Sequence, residues 1–224
     1  MKGTGRRQSR ASTNEITART TTGQTGSGRS VMSINIPYRM VRSSMEARER
    51  WIEAGIEALR ADGIDGVRID RIARHLGLTK GSFHHHFSGA GQYRLALLER
   101  FESDATEALR RVDADLVEAT ALEALTRLPE VLDSLFDVPL ERAVRAWAFA
   151  DADALAALER VDAARLAAIE ARWVAILGPG ERARIAALVP HLLVIGASVA
   201  APPISATELR AVFDLLASIA PAVE

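Results

Sequence analysis

The chain of 224 residues has no cysteine, two lysines (Lys2 and Lys80) and only 5% aromatic residues. Without cysteine no disulfide can form, and a reducing cytoplasm is the compartment to expect. The N-terminus has no continuous apolar core of the kind a secretory signal needs. The longest apolar run, Ile185 to Ala201, is about as long as a short membrane span, but it carries Pro190 and His191 and follows an amphipathic series. It therefore reads as a buried helix rather than a membrane span. No nucleophile elbow, phosphate loop or metal-spaced histidine set occurs, which argues against an enzyme and against a bound cofactor. Period-two alternation and internal repeats are also missing.

What remains is a helical composition, dominated by alanine and leucine. The length allows one small module and one larger core. The formal net charge of −1 hides a gradient. Residues 1–45 hold eight basic residues and one acidic residue, a net of +7. Residues 46–101 hold nine and eight, a net of +1, and residues 102–224 hold eleven and twenty, a net of −9. A basic front and an acidic rear place any nucleic-acid contact in the N-terminal part.

Residues 1–42 are rich in Ser, Thr, Gly and Arg and lack periodicity, which predicts a disordered basic tail. Two readings of it stay open, an arm that tracks phosphates and an extension without a role. Ser43 with Glu46 forms a capping box, so order is expected to begin near residue 43. Ile52, Ile56 and Leu59 make a helical stripe ending at Gly63, with Gly55 inside it as a sign of close helix packing.

The most specific stretch is Arg68 to Phe87. Ile69, Ile72, Ala73 and Leu76 fall at i, i+3, i+4 and i+7, one face of a helix. Gly77 sits where a left-handed residue ends such a helix, and Thr79 is a sound cap for the next. Phe83 and Phe87 lie four apart and point inward, leaving Thr79, Lys80, Gly81, Ser82, His84 and His85 as an outward set, with Arg68 beside it. Two short helices across a glycine turn are the layout of a helix-turn-helix, whose second helix enters the major groove. Small residues at Gly81 and Ser82 allow close approach, and Lys80 at the positive helix end suits phosphate or guanine acceptors. A metal site at His84, His85 and His86 is disfavoured, because consecutive helical residues diverge by about 100°. His75 stands near enough to join one of them, but a groove-facing role is the simpler reading.

The segment resembles the DNA-binding domain of the TetR family of bacterial transcriptional regulators. It matches that pattern at Ile69, Ile72, Ala73, Gly77, Thr79, Lys80, Gly81, Ser82, Phe83, His86 and Phe87. The likeness extends over about Glu46 to Arg100. Three positions depart from it. His84 replaces a tyrosine that bonds a phosphate; an imidazole has shorter reach and brings pH dependence. Ala90 stands near a lysine that holds the backbone, and Arg68 replaces a Thr/Ser cap.

The resemblance implies an all-α fold. It comprises an N-terminal three-helix helix-turn-helix DNA-binding domain over residues 43–90 and an all-helical effector-binding and dimerisation domain over residues 91–224. Tyr93, Leu97, Leu98 and Phe101 open a fourth helix. Further helices are expected over residues 104–119, 121–135, 139–150, 152–177, 181–200 and 206–219, with Ser205 and Glu208 as a second capping box. Candidates for the effector pocket are Phe136, Trp147, Phe149 and Trp173, with Arg145 and His191 to orient a polar group. The stripe Leu188, Leu192, Ile195 and Val199, beside Gly196, and its partner stripe Leu209, Val212, Phe213 and Leu216 suit a four-helix dimer interface.

The expected function is that of a cytoplasmic, homodimeric DNA-binding repressor, released from a pseudo-palindromic operator by a small-molecule effector. The alternative is a helical dimeric interaction protein without an effector, which leaves the residues from Thr79 to Phe87 without a cause.

Overall fold

The computed structural model describes residues 38–115, 123, 127 and 135–219. The expected basic tail, up to residue 37, and most of the helix expected over residues 121–135 lie outside the described residues. Among the described residues there are eight α-helices and no strand. They are α1 (Tyr38–Asp62), α2 (Ile69–Leu76), α3 (Lys80–His84), α4 (Ala90–Asp115), α5 (Val138–Ala148), α6 (Ala152–Leu177), α7 (Glu181–Val199) and α8 (Ala206–Ile219).

Each boundary has a local cause. Helix α1 stops at Gly63, whose φ of 68° is open to glycine at little cost. Helix α2 stops at Gly77 (φ 65°), and the following Leu78 N–H donates to the Ala73 carbonyl at 2.8 Å, closing a Schellman-type turn. The Thr79 hydroxyl accepts from the Ser82 N–H at 3.3 Å and so caps α3. Asp137 caps α5 and Asp151 caps α6 through their carboxylates. At α8 the second capping box is reciprocal: Ser205 N–H donates to Glu208 at 2.9 Å, and Glu208 N–H donates to the Ser205 hydroxyl at 3.2 Å.

Two boundaries differ from the sequence reading. Helix α1 begins at Tyr38, so Ser43 lies inside it and does not serve as its N-cap. From Tyr38 to Ser43 there is no glycine or proline, so nothing local prevents helix ahead of Ser43. Helix α4 runs unbroken for 26 residues, where the sequence suggested two helices meeting near Asp104. No glycine or proline lies between Gln92 and Asp115 to interrupt it.

Helix α1 packs against α2, α4 and α5, while α6 packs against α4, α5 and α7. One continuous core results. It begins with Trp51, Leu59, Phe83, Phe87, Tyr93 and Leu97 and passes through α4 into Val144, Trp147, Ala154 and Val161. The front module and the rear helices thus share buried side chains across residue 90. Polar ties reinforce this: Arg60 pairs with Asp137 at 2.6 Å, and Arg160 with Glu102 at 2.5 Å.

Within the front module the aromatic rings lock α3 in place. Phe83 meets Trp51 at 5.3 Å and Tyr93 at 5.4 Å in edge-on contacts, and Phe87 meets Tyr93 at 4.9 Å. The Tyr93 hydroxyl, carried by α4, donates to the Trp51 carbonyl of α1 at 2.5 Å. Burial pushes the Tyr93 phenol far above its ordinary pKa, so it stays a donor.

Candidate nucleic-acid interface and rear cavity

The outward set on α2 and α3 is where the sequence placed it. Arg68, Thr79, Lys80, Gly81, His84 and His85 are exposed, and Ser82 is half-buried. Phe83 and Phe87 are buried beneath them. Lys80 Nζ pairs with Asp70 at 2.7 Å, but both side chains are more than half exposed. Such a pair contributes about 0–1 kcal/mol, little enough for a phosphate to displace it. The Arg68 Nε–H donates to the Asp65 carbonyl at 3.1 Å, and no side chain caps α2. Arg71 pairs with Asp62.

Gly81 is informative because the protein's own packing does not require it. A Cβ there would meet only the Thr79 hydroxyl, at 3.5 Å, an ordinary contact. Space has been left open on the solvent side of α3, as close approach of an external backbone needs. His86 differs from its two neighbours. It is half-buried, and burial first, then the charges of His85 and Arg48, lower its pKa. It belongs to the support of the helix, beside Arg48, which stacks over Phe87 at 5.2 Å.

The rear candidates divide. Phe136 and His191 line a cavity of about 40 Å³ between α4, α6 and α7. Trp147 lies in the main core, and Trp173 is half-buried away from the cavity wall. Phe149 was expected in the pocket but is 92% exposed. It follows the last residue of α5 in a two-residue turn, and the Asp151 cap starts α6 before the ring can turn inward. Arg145 does not reach the cavity either. Its two terminal nitrogens each bond Asp162 at 2.8 Å, and it approaches Glu141 at 3.5 Å.

Among the cavity residues that the sequence reading missed are two arginines, Arg165 and Arg172. Arg165 is 5% exposed, donates to Glu141 at 2.6 Å and to the Leu135 carbonyl at 3.3 Å, and lies over the Phe136 ring at 4.2 Å. A signal was present: Leu158, Val161 and Arg165 fall at i, i+3 and i+7, so the arginine interrupts the apolar stripe of α6. His191 is buried, and that burial lowers its pKa, favouring the neutral imidazole.

On α7 and α8 an apolar face stays uncovered. Leu192 is 58% exposed and Val199 53%, while Gly196 and Val212 are also exposed. Leu188, Ile195, Leu209 and Leu216 are half-buried at its margin. Ile185, Val189 and Leu215 extend the exposed strip beyond the residues expected from sequence. Phe213 departs from expectation: it is buried within the chain against Val194, Leu193 and Phe136, so it closes the rear core rather than an interface. Helix α7 is the one helix among the described residues long and apolar enough to cross a membrane. It nevertheless buries Pro190, His191 and Ser198 inside the fold, and Arg142 of α5 donates to the Ser198 carbonyl at 3.0 Å.

A capped recognition helix, locked by an aromatic cluster behind it, defines a helix-turn-helix domain joined to a helical rear. Residues 52–89 match the family model of bacterial regulatory proteins, tetR family. Over these residues the chain is similar to the tetR family of bacterial regulatory proteins. It is similar to the transcriptional regulator AcuR of Cereibacter sphaeroides, 31% identical over 86 residues, covering 38% of this chain and 39% of AcuR. It is also similar to the regulator SrpR of Pseudomonas putida, 38% identical over 53 residues, covering 24% of this chain and 25% of SrpR. These matches therefore span well under half of either relative. The whole fold resembles a transcriptional regulator from Saccharomonospora viridis solved in complex with choline, with a TM-score of 0.65 and 21% identity over 79% of this chain and 97% of that one. Reduced E. coli NemR gives a TM-score of 0.61 at 17% identity, covering 76% and 96% of the two chains.

Proposed function

We propose that this chain is a cytoplasmic, sequence-specific transcriptional regulator, a homodimeric repressor released from a pseudo-palindromic operator by a small-molecule effector. The observation that carries the reading is the exposed set Thr79, Lys80, Gly81, Ser82, His84 and His85 on a helix whose buried side is fixed by Phe83 and Phe87. Lys80 and His84 bind phosphates, His85 faces the groove, and Arg68 supports the grip from the start of α2. Residues 43–90 act as the DNA-binding domain and residues 91–224 as the effector and dimer domain. An effector acts by binding the released state better than the DNA-bound state.

Gel shifts against DNA from the chain's own promoter region should show binding that depends on sequence and on salt. Lys80→Ala should weaken binding to all sequences alike and flatten the salt slope by about one unit, the signature of a lost phosphate contact. His85→Ala should reduce discrimination between operator variants. Helical content unchanged by circular dichroism, together with unaltered affinity in both variants, would refute this recognition face.

The uncovered face of α7 and α8 supports the dimer, since a palindromic site needs two recognition helices at fixed spacing. Leu192→Asp combined with Val199→Asp should yield a folded monomer in sedimentation, with operator affinity lowered at least tenfold. A double variant that still sediments as a dimer would move the interface elsewhere.

A further inference from the structure

The rear cavity holds a chemical feature that the regulator reading leaves open. Its wall is apolar along Val112, Ile169 and Val194, with Phe136 at one side. Set into that wall is Arg165, whose Nε and Nη1 groups are buried and have no hydrogen-bond partner among the described residues. Its Nη2 group is already committed to Glu141 and the Leu135 carbonyl. Buried donors without an acceptor are costly and rare in native folds, and an arginine cannot relieve the cost by losing its proton.

We infer that the cavity is a site for a short-chain organic anion, a carboxylate whose oxygens accept from Arg165 and whose apolar stem lies against Val112, Ile169 and Val194. The inference rests on the reading of the rear domain as an effector domain and names the chemical class of that effector. Three observations select this class. Among the described charged residues of the wall, Arg165 and Arg172 are positive and Asp113 is negative, and Asp113 is held by Arg172 at 2.7 Å. Glu141 and Asp162, the acids that balance Arg165 and Arg145, do not line the cavity, so a cationic ligand finds no free carboxylate among the described residues there. The volume of about 40 Å³ holds roughly three or four water molecules, at about 10–15 Å³ each, which suits a ligand of acetate or propionate size. His191, also on the wall, is kept towards its neutral form by burial and can offer one further hydrogen bond.

The test measures ligand binding directly, without DNA. Thermal-shift and calorimetric titrations on the full chain would compare propionate with its neutral analogues propionamide and 1-propanol, and with tetramethylammonium, all at constant ionic strength. Propionate should bind and raise the melting temperature, with at least tenfold weaker binding by the neutral analogues and none by the cation. Arg165→Lys should weaken propionate binding at least tenfold. A Glu141→Gln/Arg165→Gln double variant, which leaves no buried charge unpaired by its partner, should abolish it while keeping its helical content. Equal binding by propionamide, no binding by propionate, or full propionate affinity in the folded double variant would each overturn the inference. Gel shifts separate this from the regulator reading. Operator release by a neutral or cationic compound, with propionate inert, sinks the anion site alone. Arg165-dependent propionate binding in a chain that never binds DNA sinks the regulator and leaves the site standing.

Discussion

Glu141→Ala is expected to cost the fold about 3–5 kcal/mol, read from urea unfolding, because it breaks a buried ion pair from one side only. Glu141 is 2% exposed and Arg165 5%, and the two meet at 2.6 Å. Removing the carboxylate leaves the Arg165 guanidinium, among the described residues, with the Leu135 carbonyl and a distant Asp162, 3.9 Å from Nη1. Asp162 cannot compensate, since it already holds both terminal nitrogens of Arg145. The double variant Glu141→Met/Arg165→Met should behave differently. With both charges gone and similar volume retained, its stability should lie within about 2 kcal/mol of the parent, because the desolvation cost disappears together with the attraction. A single variant costing less than 1 kcal/mol, or a double variant costing as much as the single, would show that the pair is not the keystone of α5 and α6.

That pair also marks where sequence reading stops. The helix-turn-helix was legible because its rules are local: Gly77 and Thr79 terminate and restart helices within three residues, and the four-residue spacing of Phe83 and Phe87 sets one buried face. The rear cavity obeys no such rule. Phe136, Arg165 and His191 come from three separate segments and meet only once these are packed, so residue type could nominate Phe136 and His191 singly but could not join them to Arg165. Phe149 shows the reverse error. A large aromatic reads as interior by character, yet burial of apolar residues is a tendency and not a requirement. Its place in the turn between α5 and α6 decided the matter. Phe213 was misplaced for a related reason, since periodicity shows which residues share a face but not which body covers it. The face of α7 and α8 divides accordingly, with Phe213 turned into the chain and Leu192 and Val199 left outside.

Gly55→Ala should destabilise the front module by about 2–4 kcal/mol, although alanine is the better helix former by about 1 kcal/mol. A Cβ at residue 55 would stand 2.7 Å from Leu97 Cδ2 and 2.9 Å from the Tyr93 ring carbon Cζ, and closer still to the Tyr93 hydroxyl. None of these atoms is free to retreat. Tyr93 is 1% exposed and Leu97 0%, and the Tyr93 hydroxyl is anchored to the Trp51 carbonyl. Overpacking of this kind costs about 1–3 kcal/mol, and pulling the hydroxyl off its acceptor adds about 1–3 kcal/mol. The consequence reaches function, because Tyr93 also packs on Phe83 and Phe87, the two residues that hold α3 in its groove-ready position. Operator affinity should therefore fall along with the melting temperature. Tyr93→Phe supplies the control. Alone it should cost about 1–2 kcal/mol for the lost hydrogen bond. In the Gly55→Ala background it removes the atom that clashes most, so the double variant should be at least 1 kcal/mol more stable than the sum of the single effects predicts. Strict additivity, or a Gly55→Ala variant as stable as the parent, would mean that α1 and α4 can separate without loss, and that Gly55 is not what lets them approach.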